Sequence, residues 1–435
     1  MRAWLFLLLI FVPLASVFSE ESERESPSSA ERAAALWEAA RQDDGQVLLA
    51  ALEEFVEPSE AALAAVAELR AGLKDSDPRI QAAAAAALGR LTAQPDVLLP
   101  KLLALFDQPA ATPLGPLAYV AAEAVANYGP RAVPLLQDAV RDDQPQVRRS
   151  AALTICLLGP EAREVVPALI EAFADADLGT RRPFLMNALL CTREHALPAL
   201  PLMREFLDDE DFHTQYWACR VLAALGPQAA PAAPRLIELV ADGVTSVRRN
   251  AALALGQIGP AIGAAGLQVL IRALRDPSQI VREDAVIALG NLGRPFAEPA
   301  IGEVEAVLAE DANFAARSQA ARTLWVLKPD SELPPRVLLE QLQGKNEPWV
   351  AAQVLAQFAA DMDVIDDVAD LLEHADPETR VFAAGVLGAL GPPAAHTADR
   401  LKTLLEDPNA DVREVAREAL QALQAADEPD GSASS

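Results

Sequence analysis

Basic residues are scarce against acids: 36 Lys and Arg stand beside 63 Asp and Glu, a formal charge of −27 over 435 residues. Nucleic acids and anionic lipid surfaces are gripped through a basic face that neutralises phosphates. The charge balance therefore excludes both as primary partners. Aromatic residues make up only 5% of the chain, histidine occurs four times and cysteine three times. No Cys-x-x-Cys pair exists, which excludes zinc ribbons, dithiol redox motifs and covalent haem attachment. His195, His213, His374 and His396 stand apart from one another, so the clustered ligands of a catalytic zinc, as in H-E-x-x-H, are missing. No G-x-S-x-G elbow, Walker loop or calcium-binding loop occurs. Gly259 to Gly266 is glycine-rich, but it lacks lysine and follows a helical pattern, so it reads as a turn. Asp208 to Asp211 reads as solvated acid at a unit boundary. Beyond the first nineteen residues, no run reads as long and apolar enough to span a bilayer.

What is present is apolar and small. Hydrophobic residues reach 51%, enough for a large core, and 33 prolines punctuate an alanine-rich chain. That combination predicts many short, closely packed helices. Met1-Arg2 supplies a positive charge, Trp4 to Leu14 is apolar, and Val17-Phe18-Ser19 sets a small residue before Glu20. This layout predicts a secretory signal peptide over residues 1–19. The alternative, a membrane anchor, needs roughly 20 apolar residues, and no cysteine at the cleavage region offers a lipid acceptor. Residues 20–30 and 424–435 are polar and predict a flexible leader and a disordered tail. The mature chain is expected to be exported, periplasmic or secreted, with no stable membrane anchor.

Between these ends one unit recurs at a period near 34. Clear copies read DDQPQVRRSAALTICLLG from Asp142, DGVTSVRRNAALALGQIG from Asp242, DPSQIVREDAVIALGNLG from Asp276 and DPNADVREVAREALQAL from Asp407. Gly159, Gly226, Gly259 and Gly293 close units at intervals of 67, 33 and 34, the first being a double unit. Pro134, Pro167, Pro201 and Pro234 recur at 33, 34 and 33. Each unit reads as two helices. An Asp accepts from the free amides at the start of the first, with Pro277 or Pro408 at the first helical position. Ala251, Ala252, Leu255 and Ile258 share one face at helical spacing. Gly259 then ends the helix and Pro260 prevents its continuation. The second helix starts at the recurring proline, with Leu169, Ile170 and Phe173 as its apolar face. One hairpin cannot bury both faces, so the units must stack.

The motif D-P-x-x-x-V-R-x-x-A-x-x-A-L-G-x-L-G, carried by Asp276, Pro277, Val281, Arg282, Ala285, Ala288, Leu289, Gly290 and Gly293, resembles HEAT repeats. More specifically it resembles the HEAT-like repeats of phycobilin lyases. The resemblance implies an all-α fold, a right-handed α-α superhelix of about eleven two-helix repeats over residues 31–423. The pattern departs at residues 109–129, at Lys328 to Pro335, and at Ala351, where Arg is expected. On function the resemblance implies a non-enzymatic scaffold that holds or assembles other proteins. The alternative it leaves open is a lyase-like factor that presents a chromophore or apoprotein. The iron-binding His-Glu dyads of the HEAT-repeat deoxyhypusine hydroxylases occur here only in reverse, at Glu194-His195 and Glu373-His374.

Arg148, Arg181, Arg248, Arg282, Arg317, Arg380 and Arg413 form a ladder. It reads either as a basic stripe for an anionic ligand or as a series of Arg–Asp pairs within or between repeats, and the acidic total charge favours the pairs. Cys156, Cys191 and Cys219 fall in consecutive first helices and read as alanine-like core residues, with a Cys156–Cys191 bridge as the alternative. No catalytic, cofactor-binding or metal-ligating set is expected. The candidate binding residues lie four places after the recurring proline: Glu171, Glu205 and Glu238, with Arg272 at the matching place in the next unit. They predict a largely acidic column on the concave, second-helix side, suited to an extended protein partner.

Overall fold

The computed structural model describes residues 29–41, 47, 50–52, 55, 65–91, 122–173, 182–345, 347–361 and 363–424. The expected signal peptide, nearly all of the leader and nearly all of the tail lie outside them. Among the described residues every regular element is helical. Cα packing divides the chain into two compact units, one ending at Leu236 and one beginning at Ile237.

In the amino-terminal unit α1 (Ser29–Arg41), α2 (Val66–Gly72) and α3 (Pro78–Leu91) come first. They are followed by α4 (Val133–Ala139), α5 (Pro145–Leu158), α6 (Val166–Ala172), α7 (Arg182–Cys191), α8 (Leu200–Phe206) and α9 (Phe212–Leu225). The boundary falls inside α10 (Ala233–Asp242). First helices pack on first helices: α7 lies against both α5 and α9. The carboxy-terminal unit continues with α11 (Thr245–Ile258), α12 (Gly263–Ala273), α13 (Gln279–Leu292), α14 (Ile301–Glu310), α15 (Phe314–Leu327) and α16 (Leu333–Leu342). It ends with α17 (Pro348–Phe358), α18 (Ile365–Asp370), α19 (Pro377–Leu390), α20 (Ala398–Thr403) and α21 (Ala410–Gln424). There the odd-numbered helices are the first helices, each packed on the next. This is the α-solenoid arrangement the repeat predicts.

The repeat dictates these elements residue by residue. In the fourteen-residue first helices the eleventh residue is apolar and buried, as at Ile155, Leu222, Leu255, Leu289, Leu324 and Leu387. Removing such a side chain from water contributes roughly 1.5–3 kcal/mol. Gly159, Gly226, Gly259, Gly293 and Gly391 end their helices at φ between 57° and 80°, a region that costs other residues about 1–2 kcal/mol. Arg193 adopts φ 54° at the corresponding place after α7. At Lys328, where the pattern departs, φ is −147° and no left-handed residue closes α15.

Two local expectations are corrected. The recurring proline is the second residue of α4, α6, α8 and α10, and a 3₁₀ segment such as Gly159–Val165 or Gly226–Ala232 precedes it. The second helix is therefore short, and its turn is itself helical. Asp276 and Asp407 do not cap the helix directly, because α13 and α21 begin three residues later, past Pro277 and Pro408. Their carboxylates accept the amides of Ser278 and Asn409 at 2.8 Å and stay turned towards the preceding repeat. Asp376 does cap α19, accepting from Glu378 N at 3.2 Å.

Thr245–Ala273 meets the length and composition of a membrane span after all, with a mean hydropathy of 1.5 over its best window. It is not one rod. Gly259 at φ 80° separates α11 from α12, and Val247, Ala251, Leu255 and Ile258 are buried core. Gly259 to Gly266 is the inter-helix turn its sequence predicts, made of a short 3₁₀ segment and the start of α12.

Candidate interaction surfaces

Three chemically different surfaces arise from the repeat. The first is the loop edge where second helices lead into first helices, and the arginine ladder lies there. Arg248 directs Nε and Nη2 to the two carboxylate oxygens of Asp276, both at 2.8 Å, while Nη1 donates to Gly243 O at 3.0 Å. Arg282 repeats this with Asp311 at 2.7 and 2.8 Å and with Asp276 O at 2.9 Å. Arg380 does so with Asp407 at 2.8 and 2.9 Å and His374 O at 2.7 Å. Each guanidinium thus ties its own loop carbonyl to the carboxylate of the following repeat. Of the two readings of the ladder, the structure has the pairs at these positions. Burial pushes the Asp276, Asp311 and Asp407 carboxyls up, but the Arg and backbone hydrogen bonds outweigh it and hold all three below the usual carboxylate range. Arg148 and Arg413 make the same loop contact, to Asp142 O and Asp407 O.

The second surface is the face of the second helices. Glu171, Glu205, Glu238 and Arg272 are all exposed. Glu171 and Glu205 belong to the amino-terminal unit, Glu238 and Arg272 to the carboxy-terminal one. Glu171 accepts from Arg141 Nη1 at 2.7 Å, so its charge is partly met from the preceding repeat. The same step recurs as Asp208–Arg235 at 2.8 Å and, in the other unit, as Arg275–Glu303 at 2.8 Å and Asp370–Arg400 at 2.8 Å. These solvent-facing pairs contribute little to stability, about 0.2–1 kcal/mol each.

The third surface, on the first helices of the amino-terminal unit, was not anticipated from the sequence. Arg149 lies over the Phe184 ring, 4.8 Å from its centroid, beside a shallow depression lined by Pro145, Arg148 and Leu185. Arg220 lies 4.7 Å over Trp217 and 5.7 Å from Tyr216, and those two rings meet edge to face at 5.4 Å. Phe212 packs on His213 at 4.0 Å and remains 43% exposed. A signal existed: in a chain with 5% aromatics, α9 carries Phe212, Tyr216 and Trp217 in its first six residues.

The cysteine expectation is overturned in part. Cys156 and Cys191 form a disulfide between α5 and α7, with Cα atoms 5.0 Å apart. The reason lies in register. Cys156 is the twelfth residue of its first helix, where Gly256, Gly290 and Gly388 stand in other repeats. Those glycines touch the next first helix, and a Cβ on Gly256 would meet Ala288 Cα at 2.6 Å. A thiol there faces its neighbour. Cys219 follows the expectation: it is fully buried, and burial pushes its thiol up to about 12.

The histidines are used locally. His195 and Glu194 stand 3.9 Å apart, His374 Nδ1 accepts the Asp376 amide at 3.1 Å, and His213 and His396 sit 3.2 and 3.1 Å from Asp211 and Asp366. Among the described residues no group of three His, Cys, Asp or Glu side chains could hold a metal ion. Within the DDED run, Asp208 pairs with Arg235, Asp209 accepts the Asp211 amide, and Asp211 caps α9 through His213 N at 3.1 Å.

No curated protein matches the chain. Among solved structures, importin beta in an ammonium sulfate condition is 13% identical with a TM-score of 0.53, the likeness covering 93% of this chain and 65% of that one. A Kap121p mutant is 13% identical with a TM-score of 0.41 and 91% of this chain covered, which spans 49% of Kap121p. An engineered protein is 21% identical with a TM-score of 0.41, covering 82% of this chain and 98% of its own. The importin beta likeness is one of fold. The sequence profile of HEAT repeats matches residues 186–253, 233–325 and 334–421, more than half of the chain. With the hairpin stacking described above, this match places the chain in the HEAT-repeat family.

Proposed function

We propose that the protein is an exported, non-catalytic scaffold that holds other proteins on its repeat surfaces. The observation that carries this reading is the exposed second-helix face, where Glu171 and Glu205 in one unit, and Glu238 and Arg272 in the other, hold the same place in successive repeats. Short inter-repeat ion pairs border that face. The Cys156–Cys191 bond supports export, because such bonds persist in oxidising compartments. An extended partner with basic side chains matches Glu171 and Glu205 of the amino-terminal unit.

The test has two parts. The exported form should begin at Glu20 when its amino terminus is sequenced, and retention of residues 1–19 would remove the export reading. Affinity capture with the tagged protein from the exported fraction of its host should recover a stoichiometric protein partner. Capture should fall when Glu171, Glu205 and Glu238 are replaced by Lys; capture unchanged by the triple replacement would remove the second-helix face from the proposal.

A further inference from the structure

The amino-terminal unit carries a second surface with the opposite charge preference, and three observations bear on it. The first is register. Arg149 stands ten residues before Gly159 and Tyr216 ten before Gly226; Phe184 stands nine before Arg193 and Trp217 nine before Gly226. The two cation–ring groups therefore occupy one face of three successive first helices, α5, α7 and α9, with α7 packed on both of the others.

The second is charge. Acids outnumber bases 63 to 36, and elsewhere in this unit Arg141 and Arg235 have found carboxylates. Among the described residues Arg149 and Arg220 meet no carboxylate. Arg149 lies on Phe184, and Arg220 lies on Trp217 and Tyr216 and donates to Tyr216 Oη at 3.4 Å. A ring face steadies a guanidinium without neutralising it, so its fork remains available for a bidentate carboxylate.

The third is residue type. Trp, Tyr and Arg carry a disproportionate share of protein–protein binding energy, because rigid amphipathic side chains lose little entropy on contact. Here they gather on a half-buried patch with Phe212 exposed at its rim. A nucleic acid is a poor fit, since two isolated cations in a chain of charge −27 neutralise few phosphates.

We infer that this face docks an extended, acidic segment of a partner protein, with one carboxylate on Arg149 and another on Arg220. This rests on the scaffold reading and adds the chemistry of a partner for a face other than the second helices. Neighbouring helices lie about 8–10 Å apart, so the axes of α5 and α9, two repeats apart, are separated by about 16–20 Å. An extended chain covers that distance in about five or six residues at roughly 3.3–3.6 Å each.

The experiment is fluorescence anisotropy of the full chain with labelled synthetic peptides. One carries two glutamates about six residues apart with an aromatic between them; others carry the glutamates adjacent, or lysines in their place. The spaced acidic peptide is expected to bind tightest, and Arg149→Gln and Arg220→Gln should each weaken it about tenfold. Arg220→Lys, which keeps the charge and loses the planar fork, should fall between. Thermal melts of each variant separate lost binding from lost folding. Equal binding by wild type and both glutamine variants, or preference for the lysine peptide, would overturn the proposal. So would absence of binding by the wild type. Capture of a partner that depends on Glu171 and Glu205 but not on Arg149 or Arg220 would leave the scaffold reading standing and remove this surface alone.

Discussion

Arg248 and Asp276 belong to different repeats and meet through two hydrogen bonds of 2.8 Å, their side chains only 16% and 10% exposed. The pair is a rivet between hairpins, since the same guanidinium holds Gly243 O of its own loop. Arg282–Asp311 and Arg380–Asp407 repeat it.

Asp276→Asn should cost about 3 kcal/mol, because it strands a largely buried guanidinium. The folded-state carboxyls of Asp276, Asp311 and Asp407 lie below their unfolded value of about 3.9. Their contribution is therefore complete above about pH 4 and is lost as pH falls through the lowered folded values. Urea unfolding between neutral and acid pH should show wild-type stability dropping there, with a shallower drop in Asp276→Asn. Asp284 has the opposite sign. Burial raises its carboxyl, and Arg249 at 2.7 Å only partly opposes that. Asp284→Asn should therefore cost less at neutral pH than Asp276→Asn, and an equal loss would contradict the assignment.

Gly256→Ala and Gly385→Ala should move stability in opposite directions although both exchange glycine for a better helix former. A Cβ at Gly256 would meet Ala288 Cα at 2.6 Å, backbone that can yield only by separating α11 from α13. Overpacking of this kind costs about 1–3 kcal/mol. At Gly385 the nearest atom is Val415 Cγ1 at 3.9 Å, an ordinary contact, so Ala should stabilise by up to about 1 kcal/mol. Chemical denaturation of the two variants decides this, and a stabilised Gly256→Ala would refute the close approach.

Replacing Cys156 and Cys191 together by Ser should lower stability by about 2–4 kcal/mol, the usual contribution of one cross-link. Titration of the oxidised native protein with a thiol reagent should find no reactive group, because Cys219 is fully buried with its thiol pushed up to about 12. One thiol should appear on unfolding without reductant and three with it. Three thiols on unfolding without reductant would rule out the bond.

Much of this architecture is legible because it is local. The fourteen-residue first helices, their buried Leu255 and Leu289, and the closing Gly259 and Gly293 follow from helical spacing and from the low cost of positive φ at glycine. The 3₁₀ turns before Pro167 and Pro201 were not legible, because i to i+3 and i to i+4 bonding place almost the same residues on the buried face. The direct helix cap expected at Asp276 failed for a different reason: α13 begins three residues later, past Pro277, so the carboxylate closes the turn at Ser278 and is left to meet Arg248 of the preceding repeat.

The sequence by itself determined that hairpins form, that glycines such as Gly259 and Gly293 close their first helices, and that the hairpins must stack to cover their apolar faces. Only the tertiary structure decided which side chains meet across a repeat boundary: Arg248 with Asp276, Cys156 with Cys191, Arg149 with Phe184 and Arg141 with Glu171. Those partners lie about 30 residues apart in the chain, and the rotation and offset between neighbouring hairpins select them. That offset is set by close packing of small residues such as Gly256 on Ala288, a property of two helices together that neither helix carries alone.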